Sequence, residues 1–520
     1  MRSLIHSFLL LTSVKSTTAQ LSPSSLQTFP NTLPLEFPFN PIIPAYWTNY
    51  PHHLRTPFAL SPDKRTAYLA YLSSSKQGIH IQPLSPTTFT ALSKTITIPT
   101  AVEAGGLVAQ NDGFALLTRE KFTGAGGPSD GTPVAVLYRY VDGKMAWKTW
   151  LGGPDVHPKE GLGSSPDLTG DLVYSEKAGY YGAMFVVKSY GGWNKGHSGD
   201  NILYVSKEGK LTNVKGTSTW GCSHNEGIAF EEADAPPFAS ICAEDHTGIW
   251  LNTKTGGMSG TKISNEHVIN AGTNSAMGGT SGSYSVLSRF PNTDSYIFSW
   301  TSRGATDLTR NTFMPTEVSA KNRTANRNIA MAILKDKYTL AGPAASSKVG
   351  SKDGDANVNW VTTGTKIDRS SPHVATLDAT TAVITWEEIA NPTCVYDAMD
   401  CMGAFTGTKF QLVDIQGKKL GAPIVSLNVT VAGDMVNFGD GRVCWPYPDM
   451  VWKLEGAAKN SGGWQVIDPK AASQPKPNVG KMSFACLRKS GVHKLIPNAH
   501  PAIMTMVIIT MAVVVPSTWG

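Results

Sequence analysis

The sequence predicts an all-β fold, and three observations carry that reading. Short runs rich in Val, Ile, Leu, Phe, Tyr and Trp alternate with polar turns along most of the chain, and no long stretch keeps its apolar residues at helical spacing. Gly 50 and Pro 33 together take about one residue in six of the 520, above the usual share of about 12%. Charged residues make up only 16% and hydrophobic ones 41%, so the chain can fill a sizeable core and disorder is excluded. The same composition excludes collagen, a coiled coil and a polytopic membrane protein.

Taken in order, residues 1–19 read as a cleaved signal peptide. Arg2 is followed by an apolar run from Leu4 to Val14, too short to span a bilayer, and Ala19 supplies the small residue before a cleavage point. Residues 20–44 carry proline at 23, 30, 34, 38, 41 and 44. The segment is expected to run extended over the surface or to supply a strand that closes the fold. From residue 45 to 489 the same event recurs, a polar turn followed by a strand. Ser61-Pro62-Asp63 leads into Ala67-Tyr68-Leu69, Asn111-Asp112-Gly113 into Phe114-Ala115-Leu116, and Ser165-Pro166-Asp167 into Leu172-Val173-Tyr174. Further turns stand at Asp234-Ala235-Pro236, Asn292-Thr293-Asp294, Asp378-Ala379-Thr380 and Gly439-Asp440-Gly441. Proline sets φ at the first corner and aspartate bonds the backbone two residues on, so the chain reverses before each strand.

Seven units of about sixty residues follow from these turns, with one long interval between Trp300 and Asp378 in which 304–328 and 341–359 read as insertions. A unit of that length holds four strands. It cannot bury both its faces alone and must stack on neighbours around an axis. The expected fold is a seven-bladed β-propeller of four-stranded antiparallel blades. In blade rhythm residues 45–488 resemble WD-repeat-like and periplasmic-type propellers, and the mature chain resembles the secreted, fungal-type seven-bladed β-propeller proteins of unassigned activity. The Gly-His and Trp-Asp pair of true WD repeats is absent. That resemblance implies the fold alone, because propellers host lectins, lyases, hydrolases, oxidases and scaffolds.

At the far end, residues 490–520 join Ser490-Gly491, a polar spacer with His493, Lys494, Asn498 and His500, and an apolar run from Ala502 to Val515. This is the order of a GPI-anchor signal. Val492 and the polar end Pro516 to Gly520 depart from the pattern, and a packed terminal strand is the alternative. An even number of cysteines in an exported chain suggests disulfides. The simplest pairing is Cys222 with Cys242, Cys394 with Cys401, and Cys444 with Cys486, one of fifteen connectivities. Sequons at Asn322 and Asn428 suit glycosylation. The net charge of +6 is mild and no dense Lys/Arg run occurs, so no nucleic-acid partner is expected. A membrane would be met only through the C-terminal anchor, and the chain is expected to be monomeric.

The residues that could carry chemistry cluster in Gly-rich stretches. His197, Asp200, His224, Glu226, Asp245 and His246 combine imidazoles that titrate near neutral pH with carboxylates that orient them, as a metal site or an acid–base group requires. The spacing matches no zinc signature, and ordinary turn hydrogen bonding is the competing reading. Trp193, Asn194, Trp220 and Asn225 offer rings that stack on sugar faces beside groups that bond hydroxyls. Asp353, Asp355, Asn357 and Asn359 place oxygens at alternate positions, a spacing that admits calcium, without the Gly and Glu of an EF-hand. Glu231-Glu232 and Glu387-Glu388 could each lend one glycosidase carboxylate, since adjacent strand residues face opposite ways; solvated strand ends are the alternative. No Gly-x-Ser-x-Gly elbow, HExxH, P-loop or dinucleotide fingerprint is present. The expected function is binding of extracellular carbohydrate or another cell-surface ligand through loops at one end of the ring. A polysaccharide lyase or hydrolase and a structural cell-wall protein remain as alternatives, so whether the protein is an enzyme stays open.

Overall fold

The computed structural model describes residues 20–489 apart from 45–50, 160, 165–169, 193–194, 197, 219–228, 233, 245–247, 255–259, 268–283, 312–315, 395–400, 451, 453–457, 462–463 and 468–478. The signal-peptide and anchor segments lie outside the described residues. Seven antiparallel sheets follow one another along the chain: blade 1 at 58–98, blade 2 at 106–150, blade 3 at 162–212, blade 4 at 229–264, blade 5 at 288–360, blade 6 at 367–426 and blade 7 at 436–488. The protein is a seven-bladed β-propeller. Each blade has four strand positions, although two are filled in pieces. Leu162–Ser164 and Gly170–Ser175 share the inner position of blade 3, and Thr339–Leu340 and Asn359–Trp360 share the outer position of blade 5.

Packing explains why the middle strands are apolar throughout rather than alternating. Strand side chains alternate between two faces, and here both faces meet another blade. Phe114 and Leu116 pack toward blade 1 with Tyr68, Ala70 and Ile81, whereas Ala115 and Leu117 pack toward blade 3 with Tyr181, Ala183 and Phe185. The same division runs round the ring, through Met184 with Trp250, Phe298 with Ile249, Ile297 with Ile384, and Phe410 with Trp445. Phe58 and Leu69 of blade 1 meet Phe484 and Met482 of blade 7, which closes the circle.

The closing blade is assembled from both ends of the described chain. Leu26–Phe39 is its outer strand and pairs antiparallel with Val479–Arg488, from Leu26 opposite Leu487 to Phe39 opposite Val479. Pro30, Pro34 and Pro38 are tolerated because an outer edge strand can spare backbone donors. Cys444 and Cys486, cross-strand neighbours on the two middle strands of this blade, form a disulfide, and Cys394 joins Cys401 in blade 6. The third expected bond involves Cys222, which lies outside the described residues.

Six of the seven turns read from the sequence connect the first and second strands of a blade. Asp63, Asp378 and Asp440 each accept the amide two residues on, from Arg65, Thr380 and Arg442. Blade 3 differs. Its first-to-second turn is Glu176 to Gly179, and Leu172-Val173-Tyr174 belongs to the first strand rather than the second. The first expected insertion in blade 5 folds as a hairpin, Ala305–Arg310 with Val318–Asn322, closed over its own small core of Leu308 and Val318.

Candidate functional site

Antiparallel blades give the ring two unlike ends. One carries the hairpins that join strands one to two and three to four. The other carries the second-to-third loops and the crossovers between blades. Three side-chain groups are built on these ends: an axial charged cluster, a buried carboxylate array, and a groove.

The axial cluster centres on Arg55, in the crossover that enters blade 1. Its guanidinium donates to the Gly105 and Gly170 carbonyls and to the carboxylates of Asp171, at 3.0 Å, and Asp434, at 2.8 Å. These partners stand at the starts of the innermost strands of blades 2, 3 and 7, so Arg55 is a built-in cation on the axis. Burial lowers its proton affinity, but Asp434 and Asp171 outweigh that and hold it above the usual value. Burial in turn raises Asp171 while Arg55 opposes the shift. Beside it His53 meets Glu387 at 2.6 Å, Trp452 Nε1 donates to the other carboxylate oxygen at 2.9 Å, and the Trp452 and His53 rings stack at 4.2 Å. Burial pushes His373, on the innermost strand of blade 6, down to about 3 and His52 down to about 4.

The carboxylate pairs read from the sequence divide as strand geometry requires. Glu387 turns to His53 and Trp452, whereas Glu388 turns to Arg369, Lys409 and Trp386 Nε1. Neither is a solvated strand end, since Glu387 is 1% and Glu388 8% exposed. Burial raises Glu231 to about 8 and Glu232 to about 7, with Asp171 adding repulsion at Glu231. Glu266 is raised to about 7 by burial, although Trp300 Nε1, Ser302 and Ser264 all bond it.

Of the expected His and Trp cluster, only Asp200 is described; it is buried at the start of the third strand of blade 3. His197, His224, Glu226, Asp245, His246, Trp193, Asn194, Trp220 and Asn225 lie outside the described residues. The expected calcium ligands do not converge. Arg323 takes Asp353 at 3.1 Å and Asp355 on both oxygens, so a guanidinium stands where a cation would. The Asn357 amide turns to the Ala344 carbonyl and that of Asn359 to Gly417. Of the sequons, Asn428 is exposed and Asn322 half-buried.

At the hairpin end, blades 2 and 3 leave a groove of about 710 Å³. Trp147 and Tyr174 form its aromatic wall, both against Tyr181, with ring centroids 5.6 Å and 4.4 Å from it. Gly209 makes this possible, because a Cβ there would lie 2.6 Å from the Trp147 ring and its φ of +82° suits glycine. Asn111, Asp112, Glu176, Lys207 and Glu208 line the groove from neighbouring hairpins. Arg139, 6% exposed, anchors Asp112 from beneath. Tyr181 donates to Gln110, and Trp147 Nε1 to the Lys207 carbonyl at 3.2 Å. Half-buried rings beside converging carboxylate and amide groups are what a polyhydroxylated ligand requires. Asn111 and Asp112 are visible in the sequence as turn residues only. The one local signal for the site is Trp147 on an outer strand, where packing does not demand a ring.

No family model matches the chain, and no curated protein matches it. Similar solved structures include a member of the DUF4221 family from Bacteroides vulgatus, 9% identical, covering 89% of this chain and 98% of that one at a TM-score of 0.32. The β-propeller domain of the Trilobed protease from Pyrococcus furiosus is 10% identical and covers 72% and 83%, at 0.31. An exo-1,5-α-L-arabinanase from a bovine ruminal metagenomic library is 11% identical and covers 63% and 98%, at 0.26. The seven-bladed assignment rests on the strand order itself. No family and no fungal-type assignment follows from these comparisons.

Proposed function

We propose that this propeller is a secreted or cell-surface binding module for extracellular carbohydrate, held in the groove between blades 2 and 3. The observation that supports the reading is the pairing of an aromatic wall, Trp147 and Tyr174, with Asn111, Asp112, Glu176 and Glu208 at one loop end. Three carboxylates against Lys207 and a tied Arg139 favour neutral or amino sugars over uronates. The test is a glycan array and polysaccharide pull-down with the purified protein, followed by mass analysis of the supernatant. Binding without new reducing ends or unsaturated products is expected, and Trp147→Ala should weaken it about tenfold or more. Binding that is indifferent to Trp147→Ala would move the site elsewhere.

A second reading, a polysaccharide lyase or hydrolase, is favoured by Glu231, whose proton affinity burial and then the Asp171 charge raise, with both carboxyls on innermost strands of adjacent blades. Released oligosaccharides that vanish in Glu231→Gln would establish it. A structural wall protein would show neither binding nor turnover. The export signal, the C-terminal lipid anchor and the monomeric state belong to the same proposal. N-terminal sequencing, phospholipase release and sedimentation test them in turn.

A further inference from the structure

Buried polar atoms without a partner are concentrated at one seam of the ring. On blade 6, Thr385 and Glu387 alternate along the second strand with Val383, whose side chain packs on blade 7, so all three share that face. Thr408, directly opposite Glu387 on the third strand, shares it, as does His373, opposite Thr385 on the first. The blade 6 to 7 crossover covers this face. His373 bonds the Val431 backbone, next to Thr430, and Gly433 lies so close to Thr56 that a Cβ would stand 2.8 Å from its hydroxyl. The crossover entering blade 1 adds His53, whose side chain is 5% exposed, stacked on Trp452.

Thr56 Oγ1, Thr385 Oγ1, Thr408 Oγ1, Thr430 Oγ1 and His53 Nδ1 are all buried with no hydrogen-bond partner among the described residues. Leaving one such group unsatisfied costs about 1–3 kcal/mol, and five within one seam is far more than native packing sustains. We propose that the seam between blades 6 and 7 is a binding site for a cluster of ordered water molecules bridging these five atoms.

The chemistry of the groups selects water over an ion. The two Glu387 oxygens are already taken by His53 and Trp452, so no carboxylate is free for a cation. The one cluster with metal-ligand spacing among the described residues is Asp368, Cys394 and Cys401, whose sulfurs are joined to each other. An anion finds Arg55 engaged by Asp434 and Asp171. Four hydroxyls that either donate or accept, and one ring nitrogen, suit a small neutral molecule that does both.

The test compares Thr385→Val, Thr408→Val and Thr430→Val with the matching Thr→Ser variants in thermal unfolding of the full chain. If waters bond the hydroxyls, each valine strands one, and its midpoint falls below that of the serine variant. If the seam is dry, the valine removes an unsatisfied hydroxyl without changing shape, and its midpoint equals or exceeds the wild type, which overturns the proposal. A crystal structure that orders solvent gives the second readout. Waters within hydrogen-bond distance of Thr385 Oγ1, Thr408 Oγ1 and His53 Nδ1 are expected. An empty seam, or a metal ion found there and by elemental analysis, refutes the water cluster.

Discussion

At the hairpin end of blades 2 and 3, polar groups such as Asp112, Glu176 and Glu208 reach solvent beside half-buried rings. At the crossover end of blades 5, 6, 7 and 1, polar groups of the same kinds are sealed between blades, Arg327 with Asp368 and Glu387 with His53, while Arg55 and Asp434 beside them are half-buried. Strand geometry is common to both. The difference lies in what the polar groups meet: at one end residues of the crossovers, His53, Arg55 and Asp434, reach partners on other blades, while at the other Asp112, Glu176 and Glu208 stand on exposed hairpins. Charge buried this way is a stability liability when one partner is removed, whereas charge around the groove is cheap to alter and available to a ligand.

The largest effect that would break this contrast is at the sealed end. Arg327 and Asp368 have no exposed side-chain surface and meet at 2.7 Å, so Arg327→Ala should cost about 3–5 kcal/mol in denaturant unfolding by leaving a buried carboxylate uncompensated. A loss under about 1 kcal/mol would mean that the sealed end tolerates stranded charge. Next comes the closing blade. Replacing Cys444 and Cys486 together by serine should cost roughly 2–4 kcal/mol, whereas removing the exposed Lys177 to Asp234 pair should cost less than about 1 kcal/mol.

Titration sharpens the contrast further. Glu231, Glu232 and Glu266 hold protons in the folded chain up to about 8, 7 and 7, but the unfolded chain gives them up near 4.5. Their contribution to stability is therefore complete below 4.5 and is lost as pH rises to 8. His52 and His373 behave oppositely: folded, they refuse protons down to about 4 and 3 that the unfolded chain takes up below 6.5, so their contribution is lost on acidification. The thermal midpoint should be highest near pH 4.5, fall gently up to 6.5, where the two histidines offset two of the three acids, fall more steeply just above 6.5, and fall again on acidification below 4.5. Glu266→Gln should reduce the alkaline slope, and an unchanged slope would assign it to the other two acids. At the open end Trp147→Ala should cost only about 1 kcal/mol of stability while abolishing most glycan binding.

The fold was largely legible because its signals are local. The Asp63, Asp378 and Asp440 turns each bond an amide two residues on, and a strand buried on both faces writes itself as an unbroken apolar run. Blade 3 shows the limit. Ser165-Pro166-Asp167 has the same turn chemistry as Ser61-Pro62-Asp63, yet the residues after it form a first strand, and the turn that does join first to second is Glu176 to Gly179, without proline or aspartate. Turn chemistry marks a reversal and does not say which one.

The candidate site was hardly legible at all. Its residues were read as punctuation, as with Asn111 and Asp112, or not singled out, as with Trp147, because they come from hairpins of different blades. The expected calcium loop likewise depended on Arg323, about thirty residues away in sequence, which takes both aspartates.

By itself, then, the amino-acid sequence determined the all-β class, the sevenfold rhythm and the positions of most reversals, since each depends on interactions within a few residues. Only the tertiary structure decided that Leu26–Phe39 closes the ring on Val479–Arg488, that Arg55 is the cation on the axis, and that Trp147 meets Tyr174 across a groove. Those contacts join residues far apart in the chain, and their energy comes from burial and charge pairing that exist only once the blades have stacked.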